Sequence, residues 1–186
     1  MRARIGPFQN YERAPPMHSQ DFPPLDPMLF RSLIGRFATG VAVILAEDDD
    51  RPCGMTVNSL TSVSLDPTLL LFCARNESKS ADAILRVGRF SVNILKRDQT
   101  EISNAFSGRG DVTSVPLVRD RGFLRLADAS AVFLCDLHEV FPGGDHQIIL
   151  GRPVHMEAPE DQVDPLLFIG GKYARLPKPP TDRLTC

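Results

Sequence analysis

Residues 131–151 read "AVFLCDLHEVFPGGDHQIILG", two alternating runs joined by the turn Pro142-Gly-Gly-Asp145. A period of two is what a strand with one buried face requires, and a glycine-rich turn between two such runs makes them antiparallel neighbours. A further short strand is predicted from Gly151 to Glu157, but Pro153 falls inside it, so the pattern does not fix the register beyond Gly151.

The same signature recurs upstream. Gly40–Ala46, the charged turn Glu47 to Arg51 and the run Cys53–Leu60 predict a second hairpin. Strands are also predicted over Thr68–Ala74, after the Asp66-Pro67 break, and over "RFSVNIL" at 89–95. Helices are few. Met28, Leu29, Leu33, Ile34 and Phe37 fall at helical spacing behind an Asp26 cap and a Pro27 start. "SKSADAILRV" at 78–87 reads as a short helix capped by Ser78 or Ser80. Asp98-Gln-Thr-Glu101 has capping-box spacing and opens a helix to about Phe106. Residues 107–122, with Gly108, Gly110, Pro116 and Gly122, read as a loop that could serve as a lid. Many short strands with hairpin turns and few helices predict a mainly β fold, an antiparallel barrel with peripheral helices rather than a doubly wound sheet.

The chain of 186 residues is long enough for one domain with a substantial core. Residues 1–24 hold Pro7, Pro15, Pro16, Pro23 and Pro24 among polar residues and read as a flexible N-terminal arm; 25–176 form the domain and 177–186 a C-terminal tail. With 42% hydrophobic and 24% charged residues the composition is that of a globular protein. A net charge of -2 gives no drive towards nucleic acid, and Arg2, Arg4 and Arg13 read as a solvated part of the arm. No apolar run reaches the ~20 residues needed to cross a bilayer, and the N-terminus lacks a secretory pattern, so a cytoplasmic location is expected.

Several chemistries lack their signatures. Cys53, Cys73, Cys135 and Cys186 are widely spaced and read as thiols rather than a metal or disulfide site. His18, His138, His146 and His155 have no metal-site spacing, and Gly108-Arg-Gly110 lacks the third glycine of a dinucleotide fingerprint. Walker, nucleophile-elbow and zincin motifs are missing too. Catalysis would therefore rest on a bound group.

Residues 54–67, "GMTVNSLTSVSLDP", point to what that group is. Thr56, Asn58, Ser59, Thr61, Ser62 and Ser64 alternate with Met55, Val57, Val63 and Leu65, and no charge appears until Asp66. A solvated strand would carry Lys or Glu, and a buried one would be nearly all aliphatic. A neutral polar ligand would explain the cluster; hydroxyls bonded to their own backbone would explain any one of them.

The order "RFATGVAVI", "GMTVNSLTSVSLDP", "FSVNIL", "GGDHQIILGRPV", "YARL" resembles the flavin reductase-like, FMN-binding split-barrel family, whose members include the small reductase components of two-component monooxygenases. The resemblance covers about residues 28–176. It implies an antiparallel Greek-key split β-barrel, a homodimer with its site completed at the two-fold interface, and an NAD(P)H-dependent flavin reductase. That enzyme would pass hydride from NADH or NADPH to FMN or FAD for a partner monooxygenase. It implies that Thr56, Val57, Asn58 and Ser59 border the flavin ring, with Ser62, Val63 and Ser64 close behind. Ala74, Arg75, Ser78, Lys79 and Ser80 would meet the phosphate and ribityl chain, where a helix start and two cations suit an anion, with Phe106 beside them. His146, in the Gly-Asp-His turn, would position the nicotinamide as the catalytic histidine, and Tyr173 would wall the nicotinamide or flavin site. A permanent flavin carrier or sensor, a pyridoxamine phosphate oxidase relative and a structural dimer are the alternatives the residues leave open.

Overall fold

The computed structural model describes residues 23–161 and 163–176; most of the expected arm, including its three arginines, and the C-terminal tail with Cys186 lie outside the described residues. The described chain divides into two units after Ile34. In the first, α1 (Pro27–Ile34) starts at the proline, and Asp26 Oδ1 accepts from Met28 N at 2.8 Å. This is the expected cap. The helix ends short of Phe37.

The second unit is built almost wholly of strands: β1 (Thr39–Gly40), β2 (Ala42–Asp48), β3 (Arg51–Val57), β4 (Thr61–Leu65), β5 (Thr68–Arg75), β6 (Arg89–Ile94), β7 (Leu117–Asp120), β8 (Phe123–Leu126), β9 (Ala131–Gly143), β10 (His146–Glu157), β11 (Leu167–Ile169) and β12 (Lys172–Ala174). Between them lie α2 (Lys79–Val87) and α3 (Thr100–Asn104). Seven strands form one antiparallel sheet in the order β3-β2-β6-β9-β10-β5-β4; β1, β11 and β12 form a second sheet and β7 with β8 a third. The outermost strands of the large sheet, β3 and β4, are consecutive in sequence, so Asn58–Leu60 bridges the two edges. The β2–β3 turn is the two-residue kind in which both central residues have positive φ, here Asp49 at 50° and Asp50 at 59°.

β2 is buried on both faces, which is why its sequence is a continuous aliphatic run. Ala42, Ile44 and Ala46 join Phe72, Phe90, Val92, Cys135, Ile149 and the α2 residues Ala81 and Ile84 in one core. Val43 and Leu45 join Leu95, Phe106, Leu126 and Leu166 in the other. Burial pushes the Cys135 thiol up to about 12, so it stays protonated as a packing group.

Four expectations need correction. The run Cys53–Leu60 is not one strand: β3 stops at Val57, and the chain bends before β4 begins at Thr61. Asp98 does not cap α3. The residue before the helix is Gln99, whose Oε1 accepts from Lys96 N at 2.8 Å and whose Nε2 donates to the Asp128 carbonyl at 2.9 Å. The helix then widens into a π-turn over 105–109, which Gly108 closes at φ 80°. Residues 107–122 are not all loop, since β7 pairs with β8 around Arg121-Gly122. Two backbone irregularities, at Leu150/Gly151 and Pro153/His155, carry β10 on to Glu157 along β9. Its ladder to β5 stops at Gly151, so Pro153 stands where one edge of β10 is already unpaired, a place where a strand tolerates proline.

Candidate functional site

A cleft of about 710 Å³ opens where β3 ends and runs to the ends of β5 and β10; Met55, Thr56, Val57, Asn58 and Ser59 form one wall. Cys73, Ala74, Arg75, Glu77 and Ser78 form another, and His146 and Arg109 complete it. A smaller hollow of about 150 Å³ shares Thr56, Val57, Asn58 and Arg109 with it and adds Val41, Ser103, Ser107, Phe168 and Tyr173.

Side-chain hydrogen bonds set the first wall. Ser59 Oγ accepts from Cys73 N at 2.9 Å and reaches the Cys73 carbonyl at 3.4 Å, pinning the bend after β3 to β5 just before the β4 ladder begins. Thr56 Oγ1 donates to the Ser103 carbonyl at 2.7 Å. Ser103 Oγ lies 2.8 Å from Tyr173 Oη, which also reaches Asn104 Oδ1 at 3.3 Å, and the tyrosine ring meets Phe168 edge-on. The hydroxyls that made residues 54–67 unusual are thus partly used to tie β3 to α3 and the bend after β3 to β5. Asn58 is the exposed amide of this wall.

The second wall starts from the helix cap. Ser78 Oγ accepts from Ala81 N at 3.2 Å, so Ser78 rather than Ser80 is the cap of α2. Ser80 Oγ instead donates to the Gly54 carbonyl at 2.8 Å and ties the helix to β3. Arg75 stands directly opposite His146 in the β5–β10 ladder. Asn76 clamps the turn that carries the histidine: its N–H donates to the Asp145 carbonyl at 3.1 Å and its Nδ2 to the Gly144 carbonyl at 3.0 Å. His146 Nδ1 lies 2.8 Å from Asp145 Oδ1, and this bond, with the charge of the ring when protonated, holds the Asp145 carboxyl below the usual range.

Of the residues named from sequence, Thr56, Val57, Asn58, Ser59, Ala74, Arg75, Ser78 and His146 line the cleft together, and Tyr173 lines the adjoining hollow. Ser62, Val63 and Ser64 lie on the edge strand β4 and do not line it, and Ser64 Oγ accepts from Asp66 N at 3.2 Å. Lys79 and Ser80 begin α2 outside the lining. Phe106 is buried beneath β3, where a Cβ added to Gly54 would stand 2.6 Å from its ring. Sequence reading missed Arg109, Glu77, Cys73, Ser103 and Phe168. A lone cation between two glycines was the available signal for Arg109; Ser103 and Phe168 carried none.

The family model for the flavin reductase like domain matches residues 34–177. A probable flavin reductase of Rhizobium meliloti is 40% identical over 137 residues, 71% of this chain, and the chain spans 44% of that relative's length. The HsaB reductase subunit of a flavin-dependent monooxygenase from Rhodococcus jostii is 36% identical over 156 residues, covering 80% of this chain and 77% of the relative. Among solved structures, an NADH:FAD oxidoreductase of Streptomyces globisporus in complex with NAD and FAD fragments superposes with a TM-score of 0.78 at 31% identity, covering 84% of this chain and 96% of that one.

Proposed function

Because the chain belongs to the flavin reductase-like family, we propose that it is an NAD(P)H:flavin oxidoreductase that reduces FMN or FAD and supplies the reduced flavin to a partner monooxygenase. The observation that carries this reading is the charge pattern of the cleft. Its middle wall, Thr56 to Ser59, is neutral and polar, and Arg75 and Arg109 stand on other segments around it. That donor set fits a flavin, whose ring edge and ribityl hydroxyls need uncharged partners and whose phosphate needs a cation.

The flavin supplies the hydride acceptor and the reduced nicotinamide the donor. The chain's residues bind and align. Asn58 offers both a donor and an acceptor to the ring edge, between Thr56, Val57 and Ser59, which their own hydrogen bonds and burial hold still. Arg75 and Ser78 face the phosphate with the first turn of α2, whose dipole adds to the attraction; Lys79 and Ser80 belong to that turn. Phe106 supports β3 from beneath, and Ser62, Val63 and Ser64 follow the wall along the edge strand β4. His146, aimed by Asp145 and by the Asn76 clamp, holds the nicotinamide amide, and Tyr173 closes the far side. No wall residue has to take a proton for hydride to move, so alignment is the main contribution, and it can supply about 7–11 kcal/mol in favourable cases. We also place the protein in the cytoplasm, where reduced nicotinamides are maintained.

The test is NADH and NADPH oxidation followed with added FMN, FAD or riboflavin. Turnover should scale with the flavin added. Bound yellow flavin without turnover would make the protein a carrier instead. In His146→Ala the KM for the nicotinamide should rise about tenfold or more with much smaller change in flavin Kd; equal losses would remove the assigned role.

A homodimer with the cleft completed across its two-fold axis belongs to the same proposal, supported by the exposed apolar side chains Leu65, Val154 and Met156. Size-exclusion chromatography with light scattering should give twice the chain mass. A monomer would overturn it.

A further inference from the structure

The cleft holds two guanidinium groups, and they stand on different segments. Arg75 ends β5; Arg109 ends the π-turn that follows α3. Arg86, Arg97, Arg119, Arg121, Arg125 and Arg152 each pair with a carboxylate, whereas neither Arg75 nor Arg109 has one within 4.0 Å among the described residues. A cation held at a cavity wall outside any ion pair remains available to an anionic ligand. Among the described residues, Arg109 is also the only charged side chain that borders both the main cleft and the smaller hollow.

We propose that Arg109 binds the pyrophosphate of the nicotinamide dinucleotide at the junction of the two cavities, and so favours dinucleotide hydride donors over donors that lack the pyrophosphate. The inference rests on the flavin reductase reading. Two anionic reactants must share one groove. Arg75 and the cap of α2, on a different segment from the 105–109 turn, suit the phosphate of FMN. The second cation is then left for the second anion. The backbone supports that assignment: Phe106 is buried in the core and Gly108 takes the left-handed conformation, so the turn is anchored on one side of Arg109 and delivers its side chain to the cavity rim. Glu77, the carboxylate of the cleft, stands in the wall with Arg75 and Ser78.

The experiment compares the unaltered protein with Arg109→Gln and Arg109→Lys, using NADH and 1-benzyl-1,4-dihydronicotinamide, which has the same reactive ring and no pyrophosphate. Riboflavin and FMN serve in turn as acceptor, which removes any pyrophosphate on the flavin. In Arg109→Gln the ratio of kcat/KM for NADH to that for the benzyl donor should fall about tenfold with either acceptor, and Arg109→Lys should recover most of it. Calorimetry reads binding without turnover: the Kd of NAD+ should rise about tenfold in Arg109→Gln and become less sensitive to salt, while the Kd of FMN moves far less. An unchanged donor ratio would overturn the proposal. An FMN Kd weakened as much as that of NAD+ would overturn it too, assigning Arg109 to the flavin phosphate. If the unaltered protein oxidises neither donor, the reductase reading itself has failed, and this inference with it.

Discussion

Replacing Gly151 with alanine is expected to cost about 3 kcal/mol and to lower Tm by roughly 6–12 °C, measured by calorimetry and by urea unfolding. A Cβ at this position would stand 2.4 Å from Phe90 Cζ and 3.2 Å from Cys135 Cβ. The ring cannot swing away, because Phe90 is fully buried and packs edge-on against Phe72, with centroids 5.3 Å apart. Gly151 is also where β10 loses its ladder to β5, so backbone and side chain would both have to move. Gly40→Ala is the matched control: nothing lies within 4 Å of the added carbon, and Tm should barely change. A Gly151→Ala protein melting with the Gly40→Ala control would show that the β10 irregularity absorbs the methyl.

A comparable loss is expected for Asn93→Ala, about 3 kcal/mol in the urea-derived unfolding free energy. Asn93 is completely buried on β6. Its Oδ1 accepts from Leu126 N at 2.9 Å, and its Nδ2 donates to the Val43 carbonyl at 3.0 Å and to Ser91 Oγ at 2.9 Å. Ser91 Oγ in turn donates to the Leu124 carbonyl at 2.6 Å. Two of these bonds, from Leu126 N and to the Leu124 carbonyl, fasten β8 to the large sheet, which shares no ladder with it among the described residues, and the other two hold the Asn93 and Ser91 side chains in place. Alanine would leave a buried N–H without an acceptor, and such a group costs far more unmade than it returns when made. Hydrogen exchange separates this from a general packing loss: the Leu126 amide should exchange faster than global unfolding allows. A loss under about 1 kcal/mol, with that amide still protected, would contradict the role.

The features legible in the sequence are those that local physics decides. Alternation and turn residues revealed the β2–β3 and β9–β10 hairpins, and Asp26 and Ser78 were visible as caps because capping depends on the residues that follow. Tertiary partners decided the rest. Asp98 has the right spacing to cap α3, yet the Gln99 amide, which reaches Asp128 across the fold, fixes the helix start. β7 was hidden because Pro116 and a four-residue run look like loop, and what seats its hairpin is tertiary: the buried β6 polar pair, the core around Leu126 and the Arg119–Glu47 ion pair. In the cleft, Thr56 to Ser59 stood out as a polar anomaly within one segment, and Arg75 and Ser78 as a cation at a helix start. Arg109 reaches the cleft from a segment marked only by its two flanking glycines, and Phe168 reaches the adjoining hollow with no local signal, by topology alone.

The ladder also governs when the molecule becomes competent. Arg89 meets Asp136, Ala42 meets Ile94, and Arg75 finds His146 only after most of the polypeptide exists. Closing such wide loops before any contact rewards them slows the search, so this chain should refold sluggishly beside helical proteins of its length. On the ribosome, a nascent chain halted before β10 would already carry Asn58 and Arg75 but would lack His146 and the strand that pairs with β5. Competence therefore arrives late, with the C-terminal third.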